Sequence, residues 1–334
     1  MQLLLNPRYP GVETSKMLKP RTVCTVRRSR LGLFRTLVTT LALGCVSFTA
    51  AEDGAPLTFQ PDGQQYRFDT GLLRGTLRLA GQSQGLLPAI DVATETSIAH
   101  SKGLFSHYRL LDAGNRYGDG GWDWTSASRN SEDGSVEVNW SADDEHPFDM
   151  SAVYRWSDPG TLDVTTSVIP KRDLPSFEVF LASYFEGFPE SYVYVESCPE
   201  TGGTAGFLKA RREVAQWQMF PRDDRAVQMI GDGRWQRPPH PVQWKIMPHL
   251  AAPLAMRRDP ERKLTALVMA PPDDCFAIAT PFGADSHRSL YLSLIGRDLK
   301  AGSGATVRAR LVISRDISDD KASALYRAYL KELE

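Results

Sequence analysis

From residue 73 onward, apolar and polar positions alternate along much of the chain. Leu73, Leu77 and Leu79 alternate with Arg74, Thr76 and Arg78. Val136, Val138 and Trp140 share one parity, as do Met150, Ala152, Tyr154 and Trp156, then Leu162, Val164, Thr166 and Val168. The same period returns in 264–270, 275–280, 289–294 and 307–313. A period of two sends successive side chains to opposite faces, which predicts half-buried antiparallel strands. Turn sequences such as Glu132-Asp133-Gly134, Pro271-Pro272-Asp273-Asp274 and Ala301-Gly302-Ser303-Gly304 separate them. Strands joined so closely form hairpins and meanders, because parallel neighbours need a long crossover. Helical periodicity is confined to two places. Ser318 can cap a C-terminal helix with Asp319 and Asp320 at its positive end and an apolar stripe of Ala322, Leu325, Tyr326, Tyr329 and Leu330. A shorter turn is expected from Asp224 to Ile230, stopped by Gly231. The predicted fold class is all-β: a large antiparallel two-sheet sandwich with a C-terminal amphipathic helix.

The first 51 residues follow a different pattern. Arg27, Arg28, Arg30 and Arg35 precede an uncharged run from Thr36 to Ala51. That run falls short of the roughly 18 to 20 apolar residues of a membrane span. Its length and flanks suit the apolar region of a signal peptide, and Thr49-Ala50-Ala51 places the cut after Ala51. Residues 1–51 are therefore expected to be an N-terminal extension and signal peptide, with Met17 the expected start by length, and 52–334 a single β-sandwich domain. The expected location is periplasmic or extracellular. A lipid anchor at Cys45 is less favoured, since the preceding Ala42-Leu43-Gly44 lacks the usual leucine. No transmembrane span is expected in the mature chain, because Glu178, Glu186 and Pro189 interrupt the apolar stretch 174–195. Cys198 and Cys275 would remain after cleavage, either as a disulfide or as two buried thiols.

Charge narrows the partners. Of the chain's 39 basic and 40 acidic residues, the first 51 positions hold eight basic and one acidic, leaving 31 against 39. A body that acidic is a poor ligand for nucleic acid, which needs clustered Lys and Arg. No phosphate-binding loop, dinucleotide glycine fingerprint or metal-ligand spacing is present, so no cofactor and no metal are expected. Oligomeric state is not legible. Gly81-Gln82-Ser83-Gln84-Gly85 matches the Gly-x-Ser-x-Gly elbow of serine esterases but is followed by no helix pattern.

The most unusual stretch is 104–124. On a regular strand Phe105, His107 and Arg109 share one face, and Tyr108 lies on the other. A polar, glycine-rich segment with Arg116 and Tyr117 follows, then Trp122-Asp123-Trp124, whose indoles share a face if extended. A histidine beside an arginine is kept neutral and able to act as acid or base. Indoles beside charged groups suit sugar recognition. Glu178, among apolar neighbours, is a candidate general acid if burial raises its pKa. It is eight residues from Glu186, about 26 Å along a strand, too far for a glycosidase pair. Trp235, in the proline-stiffened segment 231–241, and His287-Arg288 are further candidates. The expected site thus has His107, Arg109 and Glu178 as catalytic residues. Tyr108, Arg116, Tyr117, Trp122, Asp123, Trp124, Trp235, His287 and Arg288 would bind substrate. Each of these also has a plain structural reading, as core, ion pair or surface loop.

The run Ser289-Leu290-Tyr291-Leu292-Ser293-Leu294-Ile295-Gly296-Arg297-Asp298-Leu299-Lys300-Ala301-Gly302, followed by Val307 to Ile313, is similar to the closing turn and last strand of the galactose mutarotase-like superfamily. Ala301 stands where that family has proline. The resemblance covers roughly residues 60–315 and implies a β-supersandwich. Where those enzymes place a catalytic Glu before a Pro, this chain reads Ile278-Ala279-Thr280-Pro281, and their His-Gly-Gly signature is missing. The expectation is an exported carbohydrate-binding or carbohydrate-processing protein with a carbohydrate ligand. The alternatives are a non-catalytic envelope binding or assembly module, and an esterase using Ser83.

Overall fold

Alternation becomes sheet in the computed structural model, which describes residues 57–79, 82–281 and 288–334. In chain order β1 is Gln60–Asp62, β2 Gln65–Asp69, β3 Leu73–Arg78, β4 Gly85–Asp91, β5 Thr96–Ser97, β6 Ser106–Leu111 and β7 Ala127–Asn130. Then come β8 Val136–Trp140, β9 Phe148–Asp158, β10 Thr161–Pro170, β11 Leu174–Tyr184, β12 Glu190–Val195, β13 Gly206–Lys209 and β14 Trp217–Pro221. The helix α1, Asp224–Ile230, leads to β15 Lys245–Ile246, β16 Leu250–Asp259, β17 Leu264–Met269, β18 Cys275–Pro281, β19 Ser289–Leu299, β20 Ala305–Arg315 and the closing helix α2, Asp319–Glu332.

The two large sheets of the expected sandwich have nine strands, in the order β13-β12-β16-β17-β20-β10-β9-β8-β7, and six, in the order β15-β14-β18-β19-β11-β6. A third sheet, β1 to β5 in sequence order, adds to the two-sheet expectation. Pairing among the described strands is antiparallel except for the short parallel pair β14–β15. The inward residues Val138, Tyr154, Val164 and Leu311 of the nine-stranded sheet meet Val179, Leu181, Ile278 and Leu292 of the six-stranded one. Phe68 and Leu77 extend the same core into the third sheet.

Each large sheet also carries an apolar layer on its other face. Leu254, Met256, Leu267 and Val312 meet Ala322, Tyr326 and Tyr329 of α2. Ser318 caps that helix by accepting from the Lys321 amide, as its sequence predicts. On the six-stranded sheet Phe180, Tyr184, Phe276 and Tyr291 meet Ala226, Met229 and Ile230 of α1, together with Trp235. Asp223 caps α1 through the Ala226 amide, and Gly231 ends it. The six-stranded sheet is thus covered on both sides, which is why β11 is buried without alternation from Phe177 to Tyr184.

Two open readings are decided here. Ser83 lies between β3 and β4, adjacent antiparallel strands, with no helix after it, and its side chain is fully buried. A nucleophile needs the exposed tip of a strand-to-helix turn, so the esterase reading falls. Cys198 and Cys275 are both free thiols, the first half-buried and the second buried. Among the described residues no helix is long and apolar enough to cross a membrane. The candidate signal segment, Cys45 and His287 lie outside the described residues.

Candidate functional site

On the outer face of the six-stranded sheet a cleft of about 360 Å³ is lined by His100, Lys102, Tyr108, Arg109, Trp122, Tyr184, Trp217, His240 and Val242. Its aromatic part is layered. Tyr108 stacks on Trp122 at 4.2 Å and 20° between planes. Trp217 stacks on Tyr291 at 5.3 Å and 4°, and Tyr291 stacks on Phe180 at 4.5 Å. Tyr184 stands between the two stacks, 5.9 Å from Trp122 and 5.5 Å from Tyr291 between ring centroids.

A β-bulge sets this arrangement. Along the β6–β11 ladder Phe180 opposes Arg109 while Leu181 opposes His107, so Tyr108 is an extra residue on β6. The bulge breaks the period of two. Tyr108 and Arg109, neighbours in sequence, both face the cleft, and His107 turns into the sandwich core. Gly120 supplies the second condition for the Tyr108–Trp122 stack. A Cβ there would stand 2.3 Å from the Tyr108 carbonyl oxygen, and its φ of +59° suits glycine. This close approach brings the short helical turn Gly120–Trp122 against β6, and the Trp122 indole donates to the Ser106 hydroxyl.

Electrostatically the lining is one-sided. Lys102 stands 4.9 Å over the Trp122 ring and Arg109 5.1 Å over the Tyr108 ring. His100 and His240 add imidazoles, and no carboxylate is among the lining residues described. His240 stands 3.5 Å from the Asp119 carboxylate, and its carbonyl accepts from Arg109. Burial raises the pKa of Tyr184 and Tyr291 above the phenol range, so both remain protonated donors at neutral pH. The cleft can therefore stack an apolar ring face and donate hydrogen bonds. It has no pair of carboxylates for glycoside hydrolysis among the described residues.

Of the residues expected from sequence, the structure brings Tyr108, Arg109 and Trp122 into the cleft. His107 is corrected from acid or base to core residue. It is fully buried, with its Nε2 2.8 Å from the Thr166 hydroxyl and its Nδ1 3.2 Å from that of Tyr154. Burial lowers its pKa to about 3. Glu178 is likewise no general acid, since it is fully buried against Arg234 at 3.2 Å. Burial raises its pKa against the pull of Arg234.

Trp124 and Trp235 are not platforms. Trp124 stacks on His146 at 4.2 Å in the core, while Trp235 lies under the cleft against Phe180. The helical turn at Gly120–Trp122 sends Trp122 and Trp124 to different clusters, against the extended geometry expected. Tyr117 is buried and donates to Asp112. Arg116 pairs with Asp119 and stands 5.8 Å over the Tyr108 ring, behind the cleft rather than in it. Asp123 is exposed and accepts from the Asp119 amide. Arg288 offers its carbonyl to Phe185 and does not line the cleft.

Sequence reasoning did not single out His100, Lys102, Tyr184, Trp217 or Val242, and took His240 only as part of the proline-stiffened segment 231–241. Trp217 carried no local signal, because it reaches the cleft by the β14–β18 pairing. Among the described residues no cluster of His, Cys, Asp and Glu could hold a metal ion.

This all-β sandwich is similar in overall form to several solved structures. A galactose mutarotase-like protein from Lactobacillus casei is 10% identical, with 75% of this chain and 100% of that one covered and a TM-score of 0.49. A galactose mutarotase related enzyme from Lactobacillus acidophilus is 9% identical, with 76% and 99% covered and a TM-score of 0.46. A heparan sulfate lyase from Pedobacter heparinus is 5% identical, with 79% of this chain and 37% of that one covered and a TM-score of 0.45. No family model matches the sequence, and no curated protein matches it.

Proposed function

We propose that this chain is an exported protein that binds or processes carbohydrate in the cleft on its six-stranded sheet. The Tyr108–Trp122 stack beside Tyr184, in a cleft that Trp217 also lines, carries this reading. A sugar ring has apolar C–H faces and an equatorial belt of hydroxyls. Flat aromatic faces bury the first, while phenol, imidazole, ammonium and guanidinium donors bind the second. The export part rests on the uncharged run 36–51 behind its arginines. Should a reaction occur, Tyr184, His240 with Asp119, and His100 are the groups placed to move protons.

A thermal-shift series with mono- and oligosaccharides on the full chain tests this reading. Ligand at 100 times its Kd should stabilise the fold by about 2.7 kcal/mol. Trp122→Ala should weaken binding about tenfold or more, because one stacked aromatic contributes on the order of 1 kcal/mol beyond the area it buries. No shift with any saccharide in well-folded protein would overturn the reading.

A further inference from the structure

We infer that the saccharide taken by this cleft carries an oxyanion, a uronate carboxylate or a sulfate ester, seated on Arg109. This inference rests on the carbohydrate reading and narrows it to acidic sugars. Arg109 is 2% exposed and lines the cleft. Its Nη2 donates to the His240 carbonyl at 2.9 Å, its Nε has no hydrogen-bond partner, and no carboxylate of the described residues lies within ion-pair distance. Three ring faces lie around its guanidinium: Tyr108 at 5.1 Å, Trp235 at 5.4 Å and Phe180 at 6.0 Å.

Other arginines with little exposure are held by more acceptors: Arg257 donates to the Ser289, Phe188 and Pro281 carbonyls and the Thr280 hydroxyl, and three more have carboxylates. Arg116 has Asp119, Arg234 has Glu178 and Asp232, and Arg310 has Asp163 and Glu332. Burying a cation is costly unless it is paired and hydrogen-bonded. Ring faces offset part of that cost, but they leave the planar fork of N–H donors without its natural acceptor, which is a bidentate oxyanion. The surroundings suit the same ligand. Lys102 stands exposed at the rim, His100 and His240 complete the ionisable lining besides Tyr108 and Tyr184, and the nearby Asp119 is already bound to Arg116. This local excess of positive charge sits in a chain whose residues beyond position 51 are net acidic.

Calorimetric titration of the full chain decides the matter with two matched pairs. Trigalacturonate is compared with its carboxyl-reduced form, and a sulfated galactan tetrasaccharide with its desulfated form. At least one acidic probe should bind ten times more tightly than its neutral partner. That preference should shrink as salt is raised and disappear in Arg109→Gln. The pair that shows it tells carboxylate from sulfate. Equal binding of acidic and neutral partners would overturn the inference while leaving the carbohydrate reading intact. Absence of binding by all four would also overturn the inference, and the saccharide series above then decides the carbohydrate reading on its own. If Arg109→Gln fails to fold, the salt dependence of the unaltered protein and the exposed-site variant Lys102→Ala, expected to weaken the acidic probe several-fold more than its neutral partner, still decide the outcome.

Discussion

Replacing Arg234 by Met should lower the stability of this protein by about 3–5 kcal/mol, the usual result of stripping one partner from a buried ion pair. For a chain of this size that is a fall in midpoint on the order of 10 °C. Arg234 is wholly buried. Its Nη1 donates to Glu178 at 3.2 Å and to the Ser176 carbonyl at 2.9 Å, and its Nη2 donates to Asp232 at 2.8 Å. These bonds join β11 to the segment that carries Trp235 and His240. Without Arg234 the Glu178 carboxyl keeps its burial and the Asp232 charge, both of which raise its pKa, against only the Ser293 hydroxyl, so its pKa, already raised, rises further. A raised carboxyl pKa stabilises the fold only below the ordinary carboxyl range, and that stability is lost as pH climbs through the folded-state value. The damage should therefore be greater at pH 8 than at pH 5. Urea unfolding at both pH values checks this, and Glu178→Gln combined with Arg234→Met should recover much of the loss. A single variant as stable as the parent at pH 8 would mean that the pair is dispensable. Saccharide affinity should fall as well, because the segment bearing His240 loses its anchor.

His107 should govern part of the acid sensitivity. Its imidazole is buried and its pKa lies at about 3, against 6.5 in the unfolded chain. Between those values the unfolded chain binds more protons than the folded one, so stability is full above pH 6.5 and is lost as pH falls toward 3. The shift corresponds to roughly 4–5 kcal/mol over the whole window, and about 3 kcal/mol of it is spent by pH 4. Other groups titrate in the same range, so the informative quantity is a difference. His107→Gln should be less stable than the parent at pH 7, where the Thr166 and Tyr154 hydroxyls lose a well-placed partner, at a cost of about 1–3 kcal/mol. The gap should close or reverse by pH 4. A gap that stays constant with pH would refute a neutral, core-bound histidine. Saccharide binding by folded His107→Gln should match the parent, since the imidazole does not face the cleft.

Much of the architecture is written in the sequence. Alternation in 136–140, 150–156 and 162–168 marks strands with one face in the core and one toward water, and there the period of two survives folding, whereas 309–313 is buried throughout because α2 covers its second face. Both helices were legible with their caps, Asp223 aside, because capping and amphipathic stripes are local properties. Tyr108, Arg109 and Trp122 were legible as site candidates by their chemistry alone. Their grouping was not. Face assignments along β6 assume an unbroken ladder, and the bulge at Tyr108 reverses them, sending His107 inward and setting Tyr108 beside Arg109. The choice among three tryptophans depended on a close turn at Gly120 and on how deep Trp235 sits beneath the sheet face. The other walls arrive from far along the chain, with Trp217 placed by pairing with β18 and His240 by the ion pair that anchors its segment. Local periodicity thus determined the strands and helices of this protein. Long-range pairing, one extra residue in one strand and burial of both faces of the central sheet decided which side chains meet in the cleft, because these depend on partners distant in sequence.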